Sequence, residues 1–287
     1  MPALYVVATP IGNLEDISMR ALRTLREVML IAAEDTRKTK RLLNYYDIKT
    51  PLTSYHEHNK MAKLDYLLSL LDQGDVALVS DAGTPGLSDP GYELIVATHQ
   101  RGIPVVPVPG PSAIITALAI SGLATDRFTF LGFMPHKTGA RKRALESVAD
   151  VSTTLVILEA PHRIPETLHD IMQILGDRKL AVCRELTKLH EEIFRGTVSQ
   201  AMEHFTQPKG EFTIVIEGKP EPDKPEMTED IKQQLYELYL SGVKAKQAVT
   251  TLAAKTGLSR KELYQTWLRL DKTWDRANNP CRNTGRS

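Results

Sequence analysis

Short apolar runs alternate with longer segments of helical spacing over the first 220 residues. Runs of strand length cover residues 4–8, 30–33, 75–80, 103–108, 128–133, 154–158, 180–184 and 212–217. Between the first two runs, Met19, Leu22, Leu25 and Val28 fall on one helical face behind Ser18, a residue type that favours helix N-caps. Apolar strands that alternate with helices predict an α/β fold with mostly parallel strands.

The same pattern divides the chain into three predicted domains. A hinge near residues 110–125 separates two α/β halves, and residues 219–225 form a charged, proline-rich linker. Every later signal is helical, at residues 231–240, 243–255 and 260–270. We predict an N-terminal α/β domain with Gly/Pro-rich loops over residues 1–115 and a second α/β domain over 116–220. A linker and a small, helix-turn-helix-like domain follow over 221–287.

Composition and charge narrow the class of protein. The 287 residues are 42% hydrophobic and 25% charged, which is typical of a globular chain. The net charge is +1, but it is unevenly distributed. Residues 226–287 hold 11 Lys and Arg and 7 Asp and Glu, a net charge of +4. The rest of the chain holds 25 Lys and Arg and 28 Asp and Glu, a net charge of −3. The two cysteines have no metal-ligand spacing, so we predict reduced thiols and no metal site. The sequence shows neither a basic leader nor an apolar run of membrane-spanning length, so we predict a cytoplasmic protein that does not act at a membrane.

Two of the strands end in loops that are rich in glycine and proline. Residues 81–91 hold three Gly and two Pro, and Gly83 and Gly86 permit the positive φ of a backbone that closely approaches a ligand. Residues 109–113 place Ser112 at a helix start, where exposed N–H groups bind anions. Because α/β folds bind ligands at the carboxyl ends of strands, both loops predict a binding site. A tight crossover and a rigid hinge are the structural alternatives.

The familiar nucleotide-binding fingerprints are absent. Neither G-x-G-x-x-G nor G-x-x-x-x-G-K-[ST] follows the first strand, which argues against standard dinucleotide binding and against nucleotide hydrolysis. Residues 55–59 hold His56, Glu57 and His58 without a third ligand at metal spacing, so substrate contact or proton transfer is the favoured role. Glu159 and Glu185 follow later strands, where a ligand site and an internal ion pair both stay open.

Basic residues cluster on two predicted helices and on the helical tail. Together they are typical of a surface that tracks nucleic-acid phosphates, although solvated helix faces explain each cluster separately. The residues that we expect on this surface are Arg37, Lys38, Arg41, Arg141, Lys142, Arg143, Lys244, Lys246, Arg260 and Lys261.

Several of these motifs, taken together, resemble the tetrapyrrole-methylase class of S-adenosylmethionine-dependent methyltransferases. They are residues 4–16, 80–91, 108–113, 132–135, 158–163, 184–188 and 210–213. Residues 8–13 (Ala-Thr-Pro-Ile-Gly-Asn), 34–37 (Glu-Asp-Thr-Arg), 55–59 and 160–163 resemble one branch. Members of that branch methylate the 2′-oxygen of a cytidine ribose in the decoding region of 16S rRNA, and the helical tail is similar to their C-terminal domain.

The resemblance covers about residues 4–218 and carries its own implications. It implies a homodimer of two α/β domains per chain, S-adenosylmethionine in the cleft between these domains, and the small ribosomal subunit (16S rRNA) as partner. Asn13 and Arg37 would position the ribose or its phosphate. The candidate proton acceptors are His56, Glu57, His58 and Glu185. The implied cofactor contacts are Pro10, Ser80, Asp81, Gly83, Thr84, Pro85, Ser112, Ala113, Leu131, Phe133, Leu158, Glu159, Leu186 and Thr213.

Other functions stay open from the sequence. One is a methyltransferase of the same fold that acts on a tetrapyrrole or another small molecule. Residues 8–12 lack the G-x-G-P-G-type turn of many tetrapyrrole-acting relatives, which argues against a porphyrinoid substrate. The others are a non-catalytic RNA-binding protein and a nicotinamide-dependent enzyme, and the missing glycine fingerprint argues against the second of these.

Overall fold

The computed structural model describes residues 2–220 and 226–278, and of residues 270–278 only the backbone. The chain divides into two units, Met1–Lys219 and Pro220–Ser287. The first unit holds two five-stranded sheets with their helices, and the described part of the second is helical. Cys281 lies outside the described residues.

All five strands of the first sheet run parallel. They are β1 (Leu4–Val7), β2 (Leu30–Ala33), β3 (Leu52–Ser54), β4 (Val76–Val79) and β5 (Val105–Val108), in the order β3-β2-β4-β1-β5. The intervening helices are α1 (Met19–Glu27), α2 (Thr36–Tyr45), α3 (Lys60–Leu71) and α4 (Tyr92–Gln100). β2 and β4 are buried along their whole length, as their unbroken apolar sequence requires. Because the strands are parallel, the loops after β1, β2, β4 and β5 meet at one edge of the sheet.

The second sheet is mixed, so the prediction of mostly parallel strands is wrong for this half. Its strands are β6 (Phe128–Phe133), β7 (Thr154–Glu159), β8 (Lys179–Arg184), β9 (Glu192–Thr197) and β10 (Phe212–Ile216), in the order β6-β7-β10-β8-β9. Only β6 and β7 pair in parallel. β8 and β9 are joined by residues 185–191, too short a segment for the helix that a parallel crossover needs. The helices of this half are α6 (Thr138–Glu146), α7 (Ile164–Leu175) and α8 (Val198–His204).

Helix α5 (Ala113–Ser121) connects the two sheets. Ser112 caps its first turn by accepting a hydrogen bond from the amide of Ile115. Its buried residues Ile114, Ala117 and Leu118 share a hydrophobic cluster with residues of β7, β8 and β10. The helix that contains the predicted boundary at residue 115 therefore packs on the second sheet, and the boundary itself stays a prediction.

The second unit contains helices α9 (Glu229–Leu240), α10 (Ala245–Thr256) and α11 (Arg260–Asn278). Leu235, Leu252, Leu263 and Trp267 form its core. Leu268, the residue after Trp267, is exposed. Gly257 ends α10 with a φ of 74°, a left-handed conformation that favours glycine. Within the described ranges of both units, no helix is long and apolar enough to span a membrane.

Candidate active site

A cavity of about 480 Å³ lies where the carboxyl edge of the first sheet faces the second sheet. The loop after β4 forms one side, and the ends of β6, β7 and β8 with the start of β10 form the other. Ten of the predicted cofactor-binding residues line it: Asp81, Gly83, Thr84, Ser112, Ala113, Phe133, Leu158, Glu159, Leu186 and Thr213. These ten residues, which lie up to 132 positions apart in the sequence (Asp81 to Thr213), therefore share one cavity.

Four predicted contacts lie elsewhere. Pro10 and the buried Ser80 line a smaller neighbouring cavity of about 150 Å³. Pro85, in the loop after β4, is buried. Leu131 packs against the hydrophobic core of the second sheet. None of these four residues lines the large cavity, and their contact with a cofactor stays a prediction.

Sequence reasoning missed about half of the lining. The missed residues are Ile11, Glu34, Ala82, Leu87, Ser88, Asp89, Ile114, Ala160, Pro161, Cys183, Glu211 and Phe212. A signal for two of them is visible in the sequence, because Glu34 directly follows β2 and Asp89 stands in the loop after β4. Both positions are at the carboxyl edge, where ligand-binding side chains gather.

The loop after β4 depends on its glycines. Gly83 has a φ of 82° and pairs with Thr9 through two backbone hydrogen bonds, from the Thr9 amide at 2.8 Å and to the Thr9 carbonyl at 3.0 Å. Gly86 has a φ of 81°. A side chain at either position would be strained, since L-residues rarely adopt this conformation. The prediction of positive φ at these two glycines is confirmed.

Three carboxyl groups, of Glu34, Asp81 and Asp89, line one wall of the cavity. Burial, with the neighbouring charges of Glu34 and Asp81, raises the pKa of Asp89 to about 7, although the Ser80 hydroxyl opposes the shift. Burial also raises the pKa of Glu34, against the hydrogen bond that its Oε2 accepts from the Asp81 amide at 3.2 Å. Lys38 approaches Asp81 Oδ2 at 2.8 Å but leaves the wall acidic. Such a wall favours a positively charged ligand.

The carboxylate of Glu159 has hydrogen-bond donors and a cation as partners. Its buried carboxylate accepts hydrogen bonds from the Ala160 amide at 2.8 Å and the Thr167 hydroxyl at 2.6 Å, and it pairs with the Arg163 guanidinium. Arg163 also donates to the Met134 carbonyl at 2.9 Å. The internal ion pair that the sequence left open is present, and Glu159 lines the large cavity as well.

A second loop brings the two sheets into contact. Glu185 has a φ of 51° and accepts hydrogen bonds from Lys188 Nζ at 2.8 Å and from the amide of Glu211, a cavity residue, at 2.9 Å. Burial acts to raise the pKa of Glu185, but these two donors outweigh it and hold that pKa below its ordinary value. The neighbouring Thr187 hydroxyl accepts from the Asn13 amide at 3.0 Å. Asn13 therefore lies where the loop after β1 meets the second sheet.

His56, Glu57 and His58 do not join this constellation, because none of them lines the large cavity. Their loop folds on itself: the His56 amide donates to Asn59 Oδ1 at 2.8 Å, and Glu57 pairs with Lys60 at 2.8 Å. The two imidazole rings lie 6.1 Å apart, centroid to centroid. The described residues include no group of three His, Cys, Asp or Glu side chains that could hold a metal ion.

Arg141 does not belong to the basic surface that the sequence predicts, because it is buried. Its side chain is 2% exposed, and its Nε donates to Asp170 Oδ2 at 2.7 Å, so it is an internal ion-pair partner that phosphate cannot reach. Lys142 is half-buried and donates to Gln173 at 2.9 Å. Arg37, whose guanidinium pairs with Asp35, is exposed. The other exposed members are Lys38, Arg41, Arg143, Lys244, Lys246, Arg260 and Lys261.

Comparison with known proteins agrees with the fold and the motifs. The sequence pattern of the tetrapyrrole (corrin/porphyrin) methylases matches residues 3–202. The chain is 49% identical to ribosomal RNA small subunit methyltransferase I of Synechocystis sp., over 94% of this chain and 99% of that protein. It is 51% identical to the protein of the same name from Thermotoga maritima, over 76% of this chain and 100% of that one.

Solved structures show the same fold at low sequence identity. A diphthine synthase aligns with a TM-score of 0.62 and 13% identity, over 76% of this chain and 90% of that one. A uroporphyrin-III-C-methyltransferase from Thermus thermophilus aligns with a TM-score of 0.53 and 20% identity, over 76% of this chain and 95% of that one. The predicted fold class and the predicted resemblance are both confirmed. The chain belongs to the tetrapyrrole (corrin/porphyrin) methylase family, and within it to the group of relatives called ribosomal RNA small subunit methyltransferase I.

Proposed function

We propose that the chain transfers a methyl group from S-adenosylmethionine to the 2′-oxygen of a cytidine ribose in the decoding region of 16S rRNA. The observation that carries the proposal is the 480 Å³ cavity with its acidic wall, in a chain so similar to rRNA methyltransferases. The proposal includes the small ribosomal subunit as partner, a homodimer as the active assembly and the cytoplasm as location.

The cavity suits the proposed methyl donor in size and charge. Its volume falls within the roughly 300–1,000 Å³ range of small-molecule sites. Leu158, Leu186 and Phe133 offer apolar surface for an adenine ring. When bound, the donor would supply a methyl group on cationic sulfur, and the sulfur would keep the electrons of the broken carbon–sulfur bond. The ribose oxygen would take up the methyl group and give its proton to an acceptor of this chain or to water.

The acidic wall gives the chain a means to distinguish donor from product. A cation beside Asp89 and Glu34 lowers the pKa of both carboxyls, so they ionise and attract it in a medium of low dielectric. The product that remains after transfer has lost the sulfonium charge, and the carboxylates then repel each other without compensation. Release of the product is therefore favoured over release of the donor.

Glu185 is the best supported of the four candidate proton acceptors. It alone among them bonds to a cavity residue, through the Glu211 amide. With its pKa below the ordinary value, it is ionised at neutral pH and free to accept a proton, but a carboxylate of low pKa is a weak base. We therefore assign most of the rate enhancement to the positioning of donor and ribose.

The test uses methyl-labelled S-adenosylmethionine and small ribosomal subunits from cells that lack this protein. We expect label at one 2′-oxygen of a decoding-region cytidine. Gly83→Val serves as the inactive control, because a β-branched residue is strained at a φ of 82°. Label on a base would refute the ribose oxygen as the target. No label on RNA while the donor still binds would refute RNA as the substrate and favour a small molecule.

A further inference from the structure

The smaller cavity, of about 150 Å³, adjoins the proposed donor site. Asp81 lines both cavities, and Ser80, the residue before it, lines the smaller one. Two hydrogen bonds fix the Asp81 carboxylate: Oδ1 accepts from the Asp35 amide at 2.9 Å, and Oδ2 accepts from Lys38 Nζ at 2.8 Å. A group in the smaller cavity and a donor in the larger one would thus contact the same carboxylate.

The lining of this cavity combines hydroxyls, apolar surface and positive charge. Thr9, Thr39 and Ser80 are buried residues with hydroxyl groups, and Leu14 and Leu42 supply apolar surface. The cations Lys38 and Arg41 stand three residues apart on α2, so they project from one face of the helix, and both are exposed. No aromatic side chain is in this lining, although single-stranded bases usually stack on aromatic rings.

We propose that this cavity is the subsite for the ribose and an adjacent phosphate of the target nucleotide, an inference that rests on the proposed function. The ribose hydroxyl bonds to Asp81 at the junction of the two cavities, and the phosphate binds Lys38 and Arg41 by charge-assisted hydrogen bonds. The volume suits a sugar better than a whole nucleoside, and the lack of aromatic rings leaves the base outside.

The alternative is a diffuse basic surface on which every lysine and arginine of α2 contributes alike. Lys40 separates the two models. It is exposed on the same helix but lines another cavity, of about 560 Å³, which shares no residue with the first two. A subsite needs Arg41 and not Lys40, whereas a diffuse surface needs both equally.

The experiment measures labelled methyl transfer to small ribosomal subunits together with the Kd of S-adenosylmethionine. We expect Arg41→Ala to raise KM for the subunit about tenfold, as loss of a hydrogen bond to a charged group does, with the donor Kd within about twofold. Lys40→Ala should leave both constants within about twofold. Cytidine 3′-monophosphate should inhibit the wild type in competition with the subunit, and inhibit Arg41→Ala less.

Each negative outcome has its own meaning. Equal losses in Arg41→Ala and Lys40→Ala would overturn the subsite while the proposed function stands. Equal inhibition by cytidine and by cytidine 3′-monophosphate would overturn the phosphate contact and with it the subsite. A wild-type protein that binds the donor but labels no RNA would refute the proposed function, and the subsite would fall with it.

Discussion

The backbone amide of Asp35 donates a 2.9 Å hydrogen bond to the side chain of Asp81, and so ties the carboxyl end of β2 to that of β4. In return, the amide of Asp81 donates to Glu34 at 3.2 Å. These bonds hold Glu34 and Asp81 close to each other. Burial raises the pKa of Asp89, and the charges of Glu34 and Asp81 add to that effect.

The first prediction concerns the pH dependence of donor binding. If the cationic donor binds the ionised form of Asp89, whose pKa is about 7, its affinity should rise about tenfold between pH 6 and pH 8. Isothermal titration calorimetry checks this, with S-adenosylhomocysteine as the uncharged-sulfur control and Asp89→Asn as the matched variant. The affinity of the wild type for S-adenosylhomocysteine, and the affinity of Asp89→Asn for the donor, should each depend less on pH. An equal pH dependence for the two ligands on the wild type would contradict the role of the acidic wall.

The same carboxyl should affect stability. Folded Asp89 keeps its proton up to about pH 7, whereas the pKa of an unfolded aspartate is 3.8. The stability that the buried, protonated carboxyl contributes is therefore fully present below pH 3.8 and is lost as the pH rises through 7. Asp89→Asn should therefore raise the free energy of unfolding of the ligand-free protein at pH 8 by about 1–2 kcal/mol. Urea unfolding at pH 8 and pH 4 measures it. A gain of the same size at pH 4 would argue against a titration effect.

Features that depend on a local run of residues could be predicted from the sequence, whereas contacts between distant residues could not. β2 and β6 are predicted to the residue. β2 is a fully buried parallel strand and an unbroken apolar run, which makes its bounds easy to see, whereas β6 is only partly buried and includes Thr129 and Gly132. β9 was missed since its sequence, Glu192–Thr197, mixes charged and apolar residues at a sheet edge. Arg141 was misplaced because sequence alone could not reveal that Asp170, 29 residues later, meets it. Asp89 was missed because its raised pKa arises from burial and from the charge of Glu34, a residue at the end of another strand, and the sequence shows neither.

Gly12 marks a close contact between the loop after β1 and the loop after β8. A Cβ there would lie 2.4 Å from Lys188 Cγ, 2.7 Å from Thr187 Oγ1 and 2.9 Å from the Leu186 carbonyl oxygen. Gly12→Ala should therefore lower the free energy of unfolding by about 1–3 kcal/mol, as overpacking does. It should also weaken donor binding, since Leu186 lines the large cavity.

Gly74→Ala is the matched control for this contact. A Cβ at Gly74 would meet the flexible side chain of Met29, with Sδ at 3.3 Å, and no backbone atom among its nearest neighbours. Thermal unfolding and donor titration of both variants give the comparison. Equal tolerance of the two alanines would show that the loops can separate without loss.

Mutations of the candidate proton acceptors should differ in their effect on kcat. Glu185→Gln removes a charge next to the cavity and should lower kcat at least tenfold, since general bases commonly contribute roughly 100-fold or more. His56→Ala should have a much smaller effect, because His56 is outside the lining. Glu146→Gln, an exposed carboxyl on α6, is the control. Single-turnover methyl transfer at saturating donor measures the step, and full activity in Glu185→Gln would remove this residue from the mechanism.

The helical unit offers the last test, since its basic residues should serve RNA and not the donor. Lys244 and Lys246 are exposed at the start of α10, and phosphate contacts by both would release two counterions on binding. The double change to Ala should weaken binding to the small ribosomal subunit and reduce its salt dependence by about two in log–log slope, with donor affinity unchanged. Lys232→Ala is the matched control, because its ammonium already pairs with Glu229 at 2.6 Å. If the double variant lost donor binding and subunit binding together, the lysines would act through the fold instead of through RNA contact.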